Sequence, residues 1–227
     1  MLRLSGILAA ALVSAAASAA GLDDISNREA VNGLKQALSN GAQAAVAKLG
    51  KENGFFGDPR IRIPLPPSLK SAEAVMHSIG MSKQADDLVL RMNRAAEAAV
   101  PQAKPLLVDA ARKMSVQDAK GILTGGQDSA TQYFKRTTSE PLAKQFKPIV
   151  KKAMAKVKLA EKYDEIAASG AKFGLVKEED AKLEDYVTRK ALDGLFVGIA
   201  DEEKKIRENP TAAASSIVKK VFGALAK

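Results

Sequence analysis

Between Val31 and Leu49 an apolar residue returns every third or fourth position: Val31, Leu34, Leu38, Ala42, Ala45, Val46 and Leu49. That spacing follows the 3.6-residue turn, so the chain carries a helix with one face to bury. Ser26-Asn27-Arg28-Glu29 precedes the run as a capping box, and Gly50 ends it. The same period returns along most of the chain. Ser68 opens a short helix with Leu69, Ala72, Val75, Met76 and Ile79 inward, closed by Gly80. Ser82 opens another with Leu88, Val89, Met92 and Ala96 inward. Pro101 fits a first helical turn and leads into Leu106, Leu107, Ala110 and Met114. Ser115-Val116-Gln117-Asp118 resembles a second capping box, with Asp a weaker third partner than Glu. A helix from about 129 runs towards Val157, interrupted near Ser139-Glu140-Pro141. The stretch from Ala167 to Lys182 is softer, with Gly170 and Gly174. The late segment EDYVTRKALDGLFVGIADEEKKIR puts Val187, Leu192, Leu195, Phe196, Ile199 and Ile206 on one face, and Asn209-Pro210 stops it. Ala212 to Phe222 makes a terminal helix.

Nothing repeats at a solenoid period. The expected fold is all-α, a compact bundle of about eight short helices. Residues 51–67, KENGFFGDPRIRIPLPP, are the exception. Arg60-Ile61-Arg62-Ile63 alternates like a short strand, but Pro64, Pro66 and Pro67 forbid a central one, so the segment is expected as an extended Pro-rich arm over the helices.

The first 20 residues, MLRLSGILAAALVSAAASAA, have a positive start, a short apolar run and small residues at its end. This is the pattern of a secretory signal peptide, with cleavage expected after Ala19 or Ala20 and the product in the periplasm. The run is too short for a spanning helix, which needs about 20 apolar residues. Removing 20 of the 227 residues leaves 207 for a single helical domain, 21–227. With no Cys in the chain, neither a disulfide nor a lipidated cysteine can form, and stability must come from packing. Formal charge is 35 − 26 = +9, which favours anionic partners. For an exported protein that means envelope surface rather than nucleic acid.

Few motifs promise chemistry. Gly121 and Gly126 have the G-x-x-x-x-G spacing of a phosphate loop, yet Gln127 and Asp128 stand where Lys and Ser or Thr are required. The better reading is a helix corner, with Gly125 or Gly126 in the left-handed position after one helix. Asp128 or Ser129 then caps the next, Ser129 pairing with Gln132. His77 is the only histidine, and with no Cys there is little to hold a transition metal; no cofactor is expected. The acidic runs Glu178-Glu179-Asp180 and Asp201-Glu202-Glu203 have the chemistry for a hard cation, although exposed ion pairs explain the second as well. Asn93, Arg94 and Glu97 form a polar group set in alanine, with Arg94 and Glu97 spaced to pair.

The richest charge pattern is SEPLAKQFKPIVKKAMAKVKL. Leu142, Phe146, Ile149, Val150, Ala153 and Val157 share a face. Lys144, Lys147, Lys151 and Lys158 flank it on one side, Lys152 and Lys156 on the other. A basic amphipathic helix of this kind can lie on an anionic membrane or pack inward and leave a basic strip outside. Pro148 implies a kink or break within it.

The stretches NRAAEAAVPQAKPLLVDAARKMSVQDAKGILTGGQDSATQYFKRTTSEPLAKQFKPIV, DYVTRKALDGLF and DEEKKIRENP resemble an exported bacterial family known as domain of unknown function 4197, over about residues 27–222. The resemblance implies a helical protein of the Gram-negative type of envelope and brings no catalytic residues with it. Some relatives carry a lipid-attachment cysteine, which this chain lacks. Charge, leader and scarcity of catalytic groups point to a non-enzymatic protein that binds an envelope protein or an anionic envelope surface. A small-molecule or lipid carrier with a cavity among the helices is the first alternative. A metal-independent hydrolase using Asp128, Tyr133 and Tyr186 is the second.

Overall fold

The computed structural model describes residues 27–67, 82–155 and 182–209. Within them lie six α-helices and one 3-10 turn, and no strand. They are α1 (Asn27–Leu49), α2 (Ser82–Ala99), α3 (Ala103–Lys113), α4 (Val116–Thr124), α5 (Ser129–Met154) and α6 (Leu183–Glu208). A 3-10 turn at Val100–Gln102, with Pro101 in its first turn, joins α2 to α3. The segment 1–20, the Ser68 helix with His77, Lys156, Val157, Lys158, the stretch 167–181 with its acidic run and the terminal segment 212–222 lie outside the described residues.

Helix α5 is the hub. It packs on α2, α3, α4 and α6, while α1 lies against α3 and α6. The apolar face of α1 is buried as its spacing requires, with Leu34 and Ala45 fully enclosed. Two glycines let α6 approach its neighbours. A Cβ on Gly198 would stand 2.5 Å from Leu49 Cδ1, and one on Gly194 would run into the Phe55 ring. Bare backbone at these positions holds α1 and Phe55 tight on α6.

Helix α5 corrects the expected interruption at Ser139-Glu140-Pro141 and shows no break at Pro148. It is continuous from Ser129 to Met154, with Pro141 and Pro148 inside it. An internal proline costs about 3 kcal/mol, but the buried face carrying Leu142, Phe146 and Val150 on both sides of them repays more than that. Three hydroxyls just before Pro141 bond back one turn: Thr137 to Tyr133 O, Thr138 to Phe134 O and Ser139 to Lys135 O. Such bonds favour a bend rather than a break.

Residues 51–67 also depart from the expected arm. From Lys51 to Ile61 they form successive turns, with Gly54 N–H bonded to Lys51 O, Gly57 N–H to Asn53 O and Ile61 N–H to Asp58 O. The Asn, Gly, Asp and Pro residues of KENGFFGDP are turn formers, and Asn53 takes a left-handed φ of 64°. Only 62–66 run without turn or helix. Phe55, Ile61, Ile63 and Leu65 are buried, so the segment is part of the core.

Candidate functional site

Three polar constellations and one groove stand out. The first is the corner between α4 and α5, where LTGGQD lies. Ser115 and Asp118 close a capping box at the start of α4. At its end Gly125 has φ −85° and ψ −178°, and neither Gly125 nor Gly126 is left-handed. The reason for glycine at 125 is space: a Cβ there would stand 2.6 Å from Gly121 O and collide with the Ser129 hydroxyl. The expected cap differs too. Asp128 precedes α5 but its carboxylate accepts from the Gln132 side chain, and Ser129 is the first helical residue.

The cap comes from elsewhere. Glu203 of α6, only 5% exposed, accepts Ala130 N–H at 3.0 Å, Thr131 N–H at 2.9 Å and the Thr131 hydroxyl at 2.8 Å. A carboxylate placed there meets the orphan donors and the positive end of the helix dipole. Arg207, one turn on, pairs with Glu203 at 2.9 Å and donates to Ile122 O in the last turn of α4. One buried ion pair therefore ties together the end of α4, the start of α5 and α6. Sequence reasoning placed Glu203 among exposed acids and missed this. The signal was present: Leu192, Phe196, Ile199, Glu203 and Ile206 fall on one stripe.

The acidic run divides accordingly. Asp201 joins Arg60 at 2.7 Å, Glu202 pairs with Lys205 at 2.6 Å, and Glu203 turns inward. Among the described residues no three His, Cys, Asp or Glu side chains are grouped to hold a metal ion. Arg60 bridges Asp58 and Asp201, and its hydrogen bonds hold both carboxyls below their ordinary value of 3.8. A depressed folded value makes the network stabilising above pH 3.8 and lost as pH falls through the folded titration. Arg60→Gln should therefore lower stability at neutral pH and flatten the acid limb, between about pH 5 and pH 1, of the urea midpoint against pH. An acid limb unchanged from wild type would disprove the assignment.

The second constellation is Asn93, Arg94 and Glu97 on α2, and the structure brings all three onto the 51–67 segment. Asn93 is fully buried; its side chain accepts Ile63 N–H and donates to Ile63 O, both at 2.9 Å. Glu97 Oε1 accepts the N–H groups of Phe55 and Phe56 at 3.0 and 3.1 Å, while Oε2 takes Arg94 at 2.6 Å. Arg94 also reaches Glu52 and Asn53, and its guanidinium and that of Arg62 lie over the Phe56 ring. These residues serve a backbone that has no ladder of its own. The three hydrolase candidates go separate ways. Tyr133 and Tyr186 donate to Ala110 O and Pro64 O, and Asp128 sits at the exposed corner.

The third is the lysine strip. Lys144 pairs with Glu140 at 2.7 Å, and Lys147 with Asp185 at 2.6 Å and Glu184 at 4.0 Å. The Asp185 bond pushes the Lys147 ammonium above its usual range. Lys151 and Lys152 are exposed on the last turn of α5.

Between α5 and α6, beside that strip, runs a groove of about 610 Å³. Ala143, Leu192 and Phe196 supply its apolar surface, with Lys135, Lys144, Lys147 and Arg189 among the charged groups around it. Volumes of roughly 300–1,000 Å³ with mostly apolar walls are typical of small-ligand sites. By contrast, a void among the described helices at Gly41, Phe134 and Glu203 holds only about 10 Å³.

A model of the family described as "Protein of unknown function (DUF4197)" matches residues 24–223. The chain belongs to this family. The match takes in every described element, so the Glu203 cap, the α2 clamp and the α5–α6 groove all lie inside the DUF4197 region. No curated protein and no solved structure matches the DUF4197 chain. No helix among its described residues is long and apolar enough to cross a membrane.

Proposed function

We propose that the protein is an exported, non-enzymatic binding protein of the cell envelope, and that the α5–α6 groove is where it takes an apolar ligand or the apolar part of a partner. The groove itself is the observation that supports this reading. Half-buried Ala143 and the edges of the largely buried Leu192 and Phe196 line a trough of about 610 Å³, whereas Asn93, Glu97 and Glu203 are engaged in holding the fold. The leader-like first 20 residues and the net charge of +9 support export and an anionic environment. A basic strip lying on a membrane surface has less support, because Lys144 and Lys147 already have acidic partners. A carrier with its cavity inside the bundle has less support too, since the void between α1, α5 and α6 among the described residues holds about 10 Å³. For a hydrolase, no meeting of Asp128 with either tyrosine supports it.

The test uses Nile red, a neutral dye that fluoresces in apolar sites. The folded protein should bind it saturably with one dye per chain. Ala143→Trp, which fills the half-buried middle of the groove, should remove the signal without changing the far-ultraviolet circular dichroism. A dye signal that survives this substitution would refute the site.

A further inference from the structure

The charges around the groove say more about what enters it. Four cations border it, Lys135, Lys144, Lys147 and Arg189, against three acids, Glu140, Asp185 and Asp193. Each acid is matched by a lysine of the fold: Glu140 by Lys144, Asp185 by Lys147, and Asp193 by Lys190 at 4.0 Å. Lys135 differs. No carboxylate of the described residues lies within ion-pairing distance of it, and its ammonium stands 6.0 Å from the centre of the Phe196 ring. The groove thus joins apolar surface to a cation that, among the described residues, stands over a ring rather than beside an acid. On α6, between the charged Asp185, Arg189 and Asp193, the groove is lined by Leu192, Phe196 and Thr188, the last 5% exposed with its hydroxyl oxygen enclosed.

We propose that the groove binds a single-chain monoanionic amphiphile, its hydrocarbon chain over Ala143, Leu192 and Phe196 and its negative group at Lys135. This rests on the groove being the binding site and names the ligand class for it. One negative group answers the Lys135 ammonium, which no carboxylate of the described residues reaches. The two helices run antiparallel here, since Lys147 meets Asp185 at one end and Lys135 meets Phe196 at the other. From Asp185 to Phe196 the trough follows α6 for eleven residues, about 16 Å, a length suited to one extended acyl chain. A trough between two helices takes one chain from solution and is the wrong shape for a bilayer plane.

The experiment displaces Nile red from the full chain with three probes. Laurate carries both chain and charge, lauryl maltoside the same chain with a neutral head, and butyrate the charge without the chain. Laurate should displace the dye at one equivalent per chain, lauryl maltoside roughly fivefold more weakly, and butyrate not at all. Lys135→Met should erase the difference between laurate and lauryl maltoside, while Lys152→Met, the same charge loss outside the groove, should leave it. Equal displacement by the two long-chain probes in the wild type would overturn the anionic assignment and leave the groove as a site. A preference that persists in Lys135→Met would overturn the role of Lys135. Sedimentation with phosphatidylglycerol vesicles that laurate does not compete would overturn the single-chain ligand in favour of a membrane surface. No binding of Nile red itself would refute the broader reading as well.

Discussion

Glu203→Ala should lower the unfolding free energy by about 3–5 kcal/mol, among the largest losses available from a single side chain outside the apolar core. The carboxylate is nearly enclosed and serves four clients: two backbone amides of α5, the Thr131 hydroxyl and the Arg207 guanidinium. Removing it leaves two helix-terminal donors without an acceptor and takes from the mostly buried Arg207 its Glu203 carboxylate. The loss is then the cost of stranded groups, larger than the net worth of the bonds themselves. Glu203→Gln keeps shape and one acceptor but loses the charge that suits Arg207 and the helix dipole, so it should fall between wild type and alanine. Arg207→Met in the Glu203→Ala background should cost less than Arg207→Met alone, because the cation it removes has already lost the Glu203 carboxylate. Urea unfolding of the wild type and the four variants measures this, and hydrogen exchange at Ala130 and Thr131 locates it. A loss below about 1 kcal/mol in Glu203→Ala would mean that water replaces the carboxylate and that the corner is not held from α6.

Much of this molecule was legible in its sequence, and the illegible part has a common cause. Periodicity found α1, α2, α3 and α6 because a helix declares its buried face within a few turns. The Ser115–Asp118 box was legible for the same reason: both partners lie three residues apart. What sequence could not reveal depends on residues far apart in the chain. Glu203 caps a helix 72 residues away, so LTGGQD was read with a local cap that the distant carboxylate makes unnecessary. Pro141 and Pro148 were read through their local cost, while the compensating burial against α2 and α6 is tertiary. The lysine strip was visible as a row of charges with Glu140 as its local offset; that Lys147 is spent on the first turn of α6 was not. The groove belongs to neither helix alone. Lys135, Leu192 and Phe196 become neighbours only when α5 and α6 pair, and no spacing within either helix announces it. Asn93, Arg94 and Glu97 lie between these cases. Their pairing along α2 was legible, but their service to the backbone of residues 53–63 was not.

The packing of Phe55 against Gly194 should give the other large effect. Phe55→Ala should cost about 4 kcal/mol, as for other fully buried phenylalanines. The ring is entirely enclosed, and its own backbone N–H is pinned to Glu97 at 3.0 Å, so the chain cannot follow the missing side chain inward to close the cavity. The same pinning makes Gly194→Ala costly. A Cβ at 194 meets the ring at three atoms, with Cζ at 3.0 Å and Cδ1 at 3.2 Å, and the ring has nowhere to retreat. Overpacking of this kind costs roughly 1–3 kcal/mol, partly offset by the better helix propensity of alanine. The two effects must then oppose each other. With the ring gone, Cβ enters empty space, and alanine brings its propensity advantage of about 1 kcal/mol together with some filling of the void. Gly194→Ala should thus destabilise the wild type and stabilise Phe55→Ala. Urea unfolding of the wild type, both single variants and the double variant gives the coupling directly. Effects that add within about 0.5 kcal/mol, the behaviour of sites that do not touch, would rule out the contact that holds the turn segment against α6.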